Sequence, residues 1–140
     1  MKASESSFLN ASDRGFLSTS GSSGRPTIVP VCFVCHNDTI YVPIDDKPKK
    51  GGRGKLARLA NLEANPAAAF IVDNYSDNWT KLSYLLVHGK GRVVEDRNEA
   101  GMAKDLLRRK YSQYPSLKLE IHSVIAIDVE ETKLWTFQSR

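Results

Sequence analysis

From Asp13 onward the hydrophobic positions follow a period of two. Arg14 to Thr19, Thr27 to Cys35 and Thr39 to Ile44 predict three strands, separated by the turn residues of Gly21-Ser-Ser-Gly24 and of His36-Asn37-Asp38. The dozen residues before them are serine-rich and weakly patterned, and predict a short helix or a frayed arm. At Lys55 the period changes: Leu56, Leu59 and Leu62 recur at helical spacing. Asn65-Pro66 closes this helix, because proline disfavours the α conformation in the residue before it. Ala67 to Val72 predicts a buried strand, Asp73 to Asn78 a turn-rich loop closed by Trp79, and Leu82 to Glu95 a long strand broken at Gly89 and Gly91. Glycines inside a strand mark a bulge or a barrel corner. Asn98 to Gln113 predicts a second helix with Ala100, Ala103, Leu106, Leu107 and Tyr111 on one face and Arg108-Arg109-Lys110 mostly solvated. Ser123 to Val129 and Leu134 to Phe137 predict a closing hairpin.

Six or seven antiparallel strands with two helical insertions predict a mainly β fold, a small β-barrel with flanking helices, since closure is how such a sheet avoids exposed edges. At 140 residues the chain is expected to form one domain, residues 13–140, preceded by an arm or short helix over residues 1–12. A hydrophobic content of 41% excludes a disordered chain. No apolar run approaches the ~20 residues that cross a bilayer, and Met1 to Ala11 lacks the apolar core of a signal peptide. A cytoplasmic protein without a membrane partner is expected.

Charge changes the picture more than composition does. The net charge is +4, yet six basic residues (Lys47, Lys49, Lys50, Arg53, Lys55, Arg58) and no acid lie between Lys47 and Arg58. The rest of the chain is slightly acidic. The segment follows a strand and runs into the first turn of a helix, where free backbone N–H groups and the macrodipole favour an anion. Gly51, Gly52 and Gly54 would let the backbone approach a phosphate closely. An anion site, a nucleic-acid contact and a solvated loop all remain open on these grounds. RNA binding is disfavoured, because nucleic-acid domains spread positive charge over a whole surface and aromatic alternation for base stacking is missing.

Catalytic motifs are few. Neither a P-loop nor a dinucleotide-binding glycine pattern occurs, and G-x-S-x-G and H-E-x-x-H are absent. Cys32 and Cys35 have C-x-x-C spacing, but on a strand positions i and i+3 point to opposite faces, so two small buried thiols are expected rather than a disulfide or zinc pair. His36, His88 and His122 have no metal-ligand spacing, and no metal is expected. No pair of titratable residues marks itself as acid and base, so if the protein is an enzyme a bound cofactor does the chemistry.

Four stretches carry a family resemblance: Gly24-Arg-Pro-Thr-Ile-Val-Pro-Val31, Ile40-Tyr-Val-Pro-Ile-Asp-Asp-Lys-Pro-Lys-Lys50, Leu59-Ala-Asn-Leu-Glu-Ala-Asn-Pro66 and Val72-Asp-Asn-Tyr-Ser-Asp-Asn-Trp79. In order they resemble the signatures of the pyridoxamine-phosphate-oxidase-like flavin and deazaflavin proteins, and most nearly the branch associated with coenzyme F420. The likeness runs from Asp13 to Phe137. It implies an FMN-binding split β-barrel, and a homodimer with two cofactor sites at the subunit interface.

Residue by residue, the resemblance implies that Arg58, seven positions before Asn65, holds the cofactor phosphate. Lys49, Lys50, Arg53 and Lys55 match basic positions that reach the phosphate or the tail beyond it. Val29, Pro30 and Val31 match the strand along the isoalloxazine-type ring, and Ile44 with Asp45 the strand end beside it. Trp79 and Leu82 match a loop that closes over the site from the partner subunit. Gly51-Gly-Arg-Gly54 departs from the pattern in its glycine content. The implied function is an oxidoreductase that transfers a hydride between F420, or alternatively FMN, and a small organic substrate. One phosphate needs two or three basic partners, whereas a phosphodiester and polyglutamate tail uses all six, which favours F420. A flavin- or heme-binding carrier or sensor without turnover is the alternative class.

Overall fold

The computed structural model describes residues 1–45 and 57–138. Lys47, Lys49, Lys50, Arg53 and Lys55 lie outside these described residues. Seven strands form one sheet: β1 (Gly15–Ser20), β2 (Pro26–Val31), β3 (Val34–His36), β4 (Thr39–Asp45), β5 (Ala67–Asn74), β6 (Ser83–Val93) and β7 (Ile121–Thr136). Every pairing is antiparallel, in the order β2-β1-β5-β6-β7-β4-β3. Helices α1 (Ala3–Asn10), α2 (Ala57–Ala64), α3 (Arg97–Lys110) and α4 (Gln113–Ser116) flank it. The expected mainly β architecture, a seven-stranded antiparallel barrel-type sheet with flanking helices, is the one found.

The burial pattern explains the sheet. β1 and β6 alternate, and send Leu17, Leu85 and Val87 into one core with Phe33, Phe70 and Leu62. β4 and β7 are apolar on both faces. Ile40, Val42, Ile125 and Ile127 enter that first core, while Tyr41, Val124 and Ala126 enter a second beneath α3, with Ala103, Leu107, Tyr111 and Tyr114. A strand buried on both faces reads as a continuous apolar run rather than an alternation.

Two sequence expectations change. Thr27–Cys35 is not one strand: pairing stops at Val31 and resumes at Val34, leaving Cys32 and Phe33 in a break. The Tyr111 hydroxyl holds that break open, accepting the Phe33 N–H at 3.0 Å and donating to the Asp13 carbonyl at 2.8 Å. The closing hairpin is absent. β7 is one strand of 16 residues, because Glu131-Thr132-Lys133 keep their ladder with β6, Glu130 is taken up at the register shift, and the stretch contains no turn former. Of the two forms expected for the N-terminal segment, the short helix is the one found: Leu9 of α1 is fully buried, and the Asn10 amide bonds both backbone groups of Cys35.

Other readings stand. Asn37 and Asp38 take φ of 48° and 58°, the two left-handed residues of a tight hairpin turn between β3 and β4. The register of β6 against β7 shifts between His88 and Gly89, at the predicted bulge. A Cβ on Gly89 would lie 2.2 Å from the Asp128 carbonyl oxygen, so the bulge requires glycine there.

Candidate functional site

The break after β2 opens a cavity of about 370 Å³ at one end of the sheet. Pro30, Val31 and Cys32 form one wall, Pro43 and Asp45 of β4 another, and Asp13, Arg14 and Arg58 complete it. Apolar walls with a few charged groups are the usual composition of a small-molecule site.

Arg58 reaches this cavity because α2 is fixed over β1 and β2. The Asn61 side-chain amide donates to the hydroxyls of Thr19 and Thr27, each at 3.1 Å, and Asn65 donates to the Ser20 hydroxyl at 3.3 Å. Leu62 packs where Gly91 leaves room, since a Cβ there would lie 2.5 Å from it. The apolar face of α2 thus points inward, and Arg58, in its first turn, is carried to the cavity rim. Burial pulls the Arg58 guanidinium below its ordinary value, and the negative charge of Asp45 partly offsets this. Its Nε is buried without a hydrogen-bond partner among the described residues. A buried guanidinium N–H that lacks an acceptor is costly, and a phosphate oxygen is an acceptor of the right charge.

Asp45 is buried and accepts a hydrogen bond from the Tyr114 hydroxyl at 2.5 Å. That bond joins the end of β4 to α4. Burial and the neighbouring carboxylate push the Tyr114 phenol well above its ordinary value, so it remains a donor. Behind this pair lies a second cavity of about 390 Å³, lined by Asp13, Cys32, Lys110, Tyr111, Ser112, Gln113, Tyr114 and Leu119. Asp13 and Cys32 line both cavities, which makes them two compartments of one cleft.

Four of the residues that the sequence singles out, Pro30, Val31, Asp45 and Arg58, meet at the first cavity. Val29 and Ile44, their chain neighbours, instead pack partly buried against the core. Trp79 stands in a single 3₁₀ turn (Trp79–Lys81), 64% exposed, and neither it nor Leu82 lines the cavity within one chain. Asp13, Arg14, Cys32, Pro43 and Tyr114 escape the sequence reading. Cys32 escapes because Thr27–Cys35 reads as unbroken; Cys35 is buried as expected, its thiol pushed up to about 11 by burial, but Cys32 is half-buried in the cleft. Lys110 is a further correction: it reads as solvated, but its Nζ is buried. No group of three or more potential metal ligands occurs among the described residues, and no described helix is long and apolar enough to cross a membrane.

The sequence matches the family model described as pyridoxamine 5'-phosphate oxidase over residues 1–136. No curated protein matches. Among solved structures, a conserved hypothetical protein of Mycobacterium tuberculosis superposes with a TM-score of 0.74 at 19% identity, covering 99% of this chain and 86% of that one. HutZ, the heme storage protein of Vibrio cholerae, gives 0.71 at 15% identity over 93% and 89%. An FAD-binding protein of Mesorhizobium loti gives 0.67 at 18% identity over 96% and 94%. At these identities the likeness is one of fold.

Proposed function

The chain belongs to the pyridoxamine 5'-phosphate oxidase family, and from that premise we propose that it is an oxidoreductase that transfers a hydride between F420, with FMN as the alternative, and a small organic substrate. The observation that carries the reading is the Arg58 Nε, buried at the cavity and lacking an acceptor among the described residues. The cofactor phosphate supplies that acceptor. Lys49, Lys50, Arg53 and Lys55 stand close before Arg58 in sequence, and the resemblance makes them the further basic partners of the phosphate and the acidic tail. Pro30 and Val31 would hold one ring face and Asp45 would border its edge, with Val29 and Ile44 packed behind them against the core.

The cofactor supplies the hydride chemistry when bound. The chain's own residues neutralise the phosphate, hold one ring face and keep water out. One cavity of about 370 Å³ covers only part of such a cofactor, and a homodimer completes the enclosure, with Trp79 and Leu82 of the partner subunit over the site. Support for self-association comes from the aromatic residues exposed around the β5–β6–β7 end: Tyr75 at 66%, Trp79 at 64%, Trp135 at 37% and Phe137 at 39%. Tyr84 and Trp135 stack there with centroids 5.5 Å apart. Exposed apolar surface of this kind marks an interaction site.

The test is a fluorescence titration of the purified protein with F420 and with FMN. F420 is expected to bind more tightly than FMN, with a loss of about 10- to 100-fold in Arg58→Ala, the scale of a charge-assisted hydrogen bond. Binding of neither, together with salt-sensitive RNA binding, overturns the reading. Cofactor binding without oxidation or reduction of any candidate substrate points instead to the carrier or sensor.

A further inference from the structure

A lysine in the last turn of a helix ordinarily extends its ammonium to water, where it also complements the helix dipole. Arg108 and Arg109 of α3 are exposed in this way. Lys110 beside them turns inward. Its Nζ is sealed from solvent and has no hydrogen-bond acceptor among the described residues. It lies 3.8 Å from the centroid of the Phe33 ring and 5.3 Å from that of Tyr111. Ring faces attract a cation but accept none of its N–H bonds, so the ammonium is held in place and left unsatisfied. Asp13, the nearest negative charge, is itself exposed and spends much of its field on water.

Lys110 also lines the second compartment of the cleft, about 390 Å³, which shares Asp13 and Cys32 with the proposed cofactor cavity. We propose that this compartment is the substrate subsite and takes a small molecule bearing one carboxylate, which Lys110 meets when it turns off the Phe33 ring. Two features set the class. A monoanion neutralises Lys110, whereas a dianion would also face the charge of Asp13. Ser112 and Gln113 at the rim add neutral donors, while Tyr111, Tyr114 and Leu119 wall the body of the ligand. The assignment of this ligand as substrate rests on the reading of the adjoining cavity as the cofactor site.

Lys110→Met keeps the length and the apolar stem and removes the charge. Benzoate and phenylacetate, each against its neutral amide, are titrated calorimetrically into the full-length protein and into the variant, with F420 and FMN titrated in parallel. At least one carboxylate is expected to bind the native protein tenfold or more tightly than its amide, and to lose that advantage in Lys110→Met, while cofactor affinity stays unchanged. Partial recovery in Lys110→Arg supports the same assignment. The proposal is overturned if no carboxylate is preferred over its amide, or if the preference survives in Lys110→Met. If the native protein binds neither F420 nor FMN but prefers a carboxylate in a Lys110-dependent way, the cofactor reading is refuted and the anion subsite stands. A thermal melt establishes that each variant is folded.

Discussion

Arg92 and Lys110 lie at opposite ends of α3's surroundings and have opposite fates. Arg92, on β6, has every direction filled: its guanidinium takes both Glu99 oxygens at 2.9 Å and both Asp128 oxygens at 2.7 and 3.1 Å. Tyr41 donates to the same Glu99 at 2.7 Å, so the network ties β4, β6 and β7 to the start of α3. The cleft side is the reverse, with Arg58 Nε and Lys110 Nζ buried and lacking acceptors among the described residues. Buried or half-buried charge that is fully paired is structure; buried charge left unpaired is a cost that folding alone does not explain. The contrast supports the cleft as the proposed functional face of the molecule.

The largest stability effect is expected on the paired side. Glu99→Ala removes two of the Arg92 guanidinium's hydrogen bonds and the acceptor of the Tyr41 hydroxyl, and should lower stability by about 2 kcal/mol, the scale of hydrogen bonds to charged groups. Denaturant unfolding measures it, and cofactor affinity should not move.

On the cleft side the sign reverses. Burial pushes Lys110 down to about 8 from an ordinary 10.5. Below pH 8 the folded and unfolded chains both carry the proton, so the folded state bears the full cost of the buried charge. Between pH 8 and 10.5 the unfolded chain binds the proton that the folded one has released, and stability rises with pH. Lys110→Met should therefore stabilise the protein at pH 7 by about 1 to 2 kcal/mol. That gain should shrink as pH climbs through the window, measured by melts at several pH values. A loss of stability at pH 7 would remove the distinction between the two sides.

A smaller effect sharpens the comparison from the acid end. The Glu99 carboxyl is held down to about 2, from 4.5, by its hydrogen bonds from Arg92 and Tyr41. Its contribution is present above pH 4.5 and is lost as pH falls towards 2, about 1 kcal/mol once solvent screening is allowed for. Glu99→Gln should flatten that part of the pH–stability curve.

Much of the framework is legible from local pattern. The hairpin at Asn37-Asp38, the proline that ends α2 and the glycine at the β6 bulge each act through their own backbone, so the sequence displays them directly. The breaks are less legible. The interruption at Cys32-Phe33 is imposed by Tyr111, 78 residues away, and the continuity of β7 by its ladder with β6. Site residues divide the same way. Pro30, Val31, Asp45 and Arg58 carry a family signature in their spacing, whereas Cys32 and Lys110 are placed by contacts across the fold. The inward turn of Lys110, with Phe33 beneath it, has no local signal, because three consecutive basic residues at a helix end read as solvated.

The most direct test of the central claim, that the buried Arg58 Nε is satisfied by a cofactor phosphate, is the F420 affinity of the native protein against Arg58→Ala. Both proteins are first shown by thermal melting to be folded. The account predicts a 10- to 100-fold weakening in a variant that remains folded. Equal affinities, or a destabilised variant that binds as well as the native protein, would contradict it.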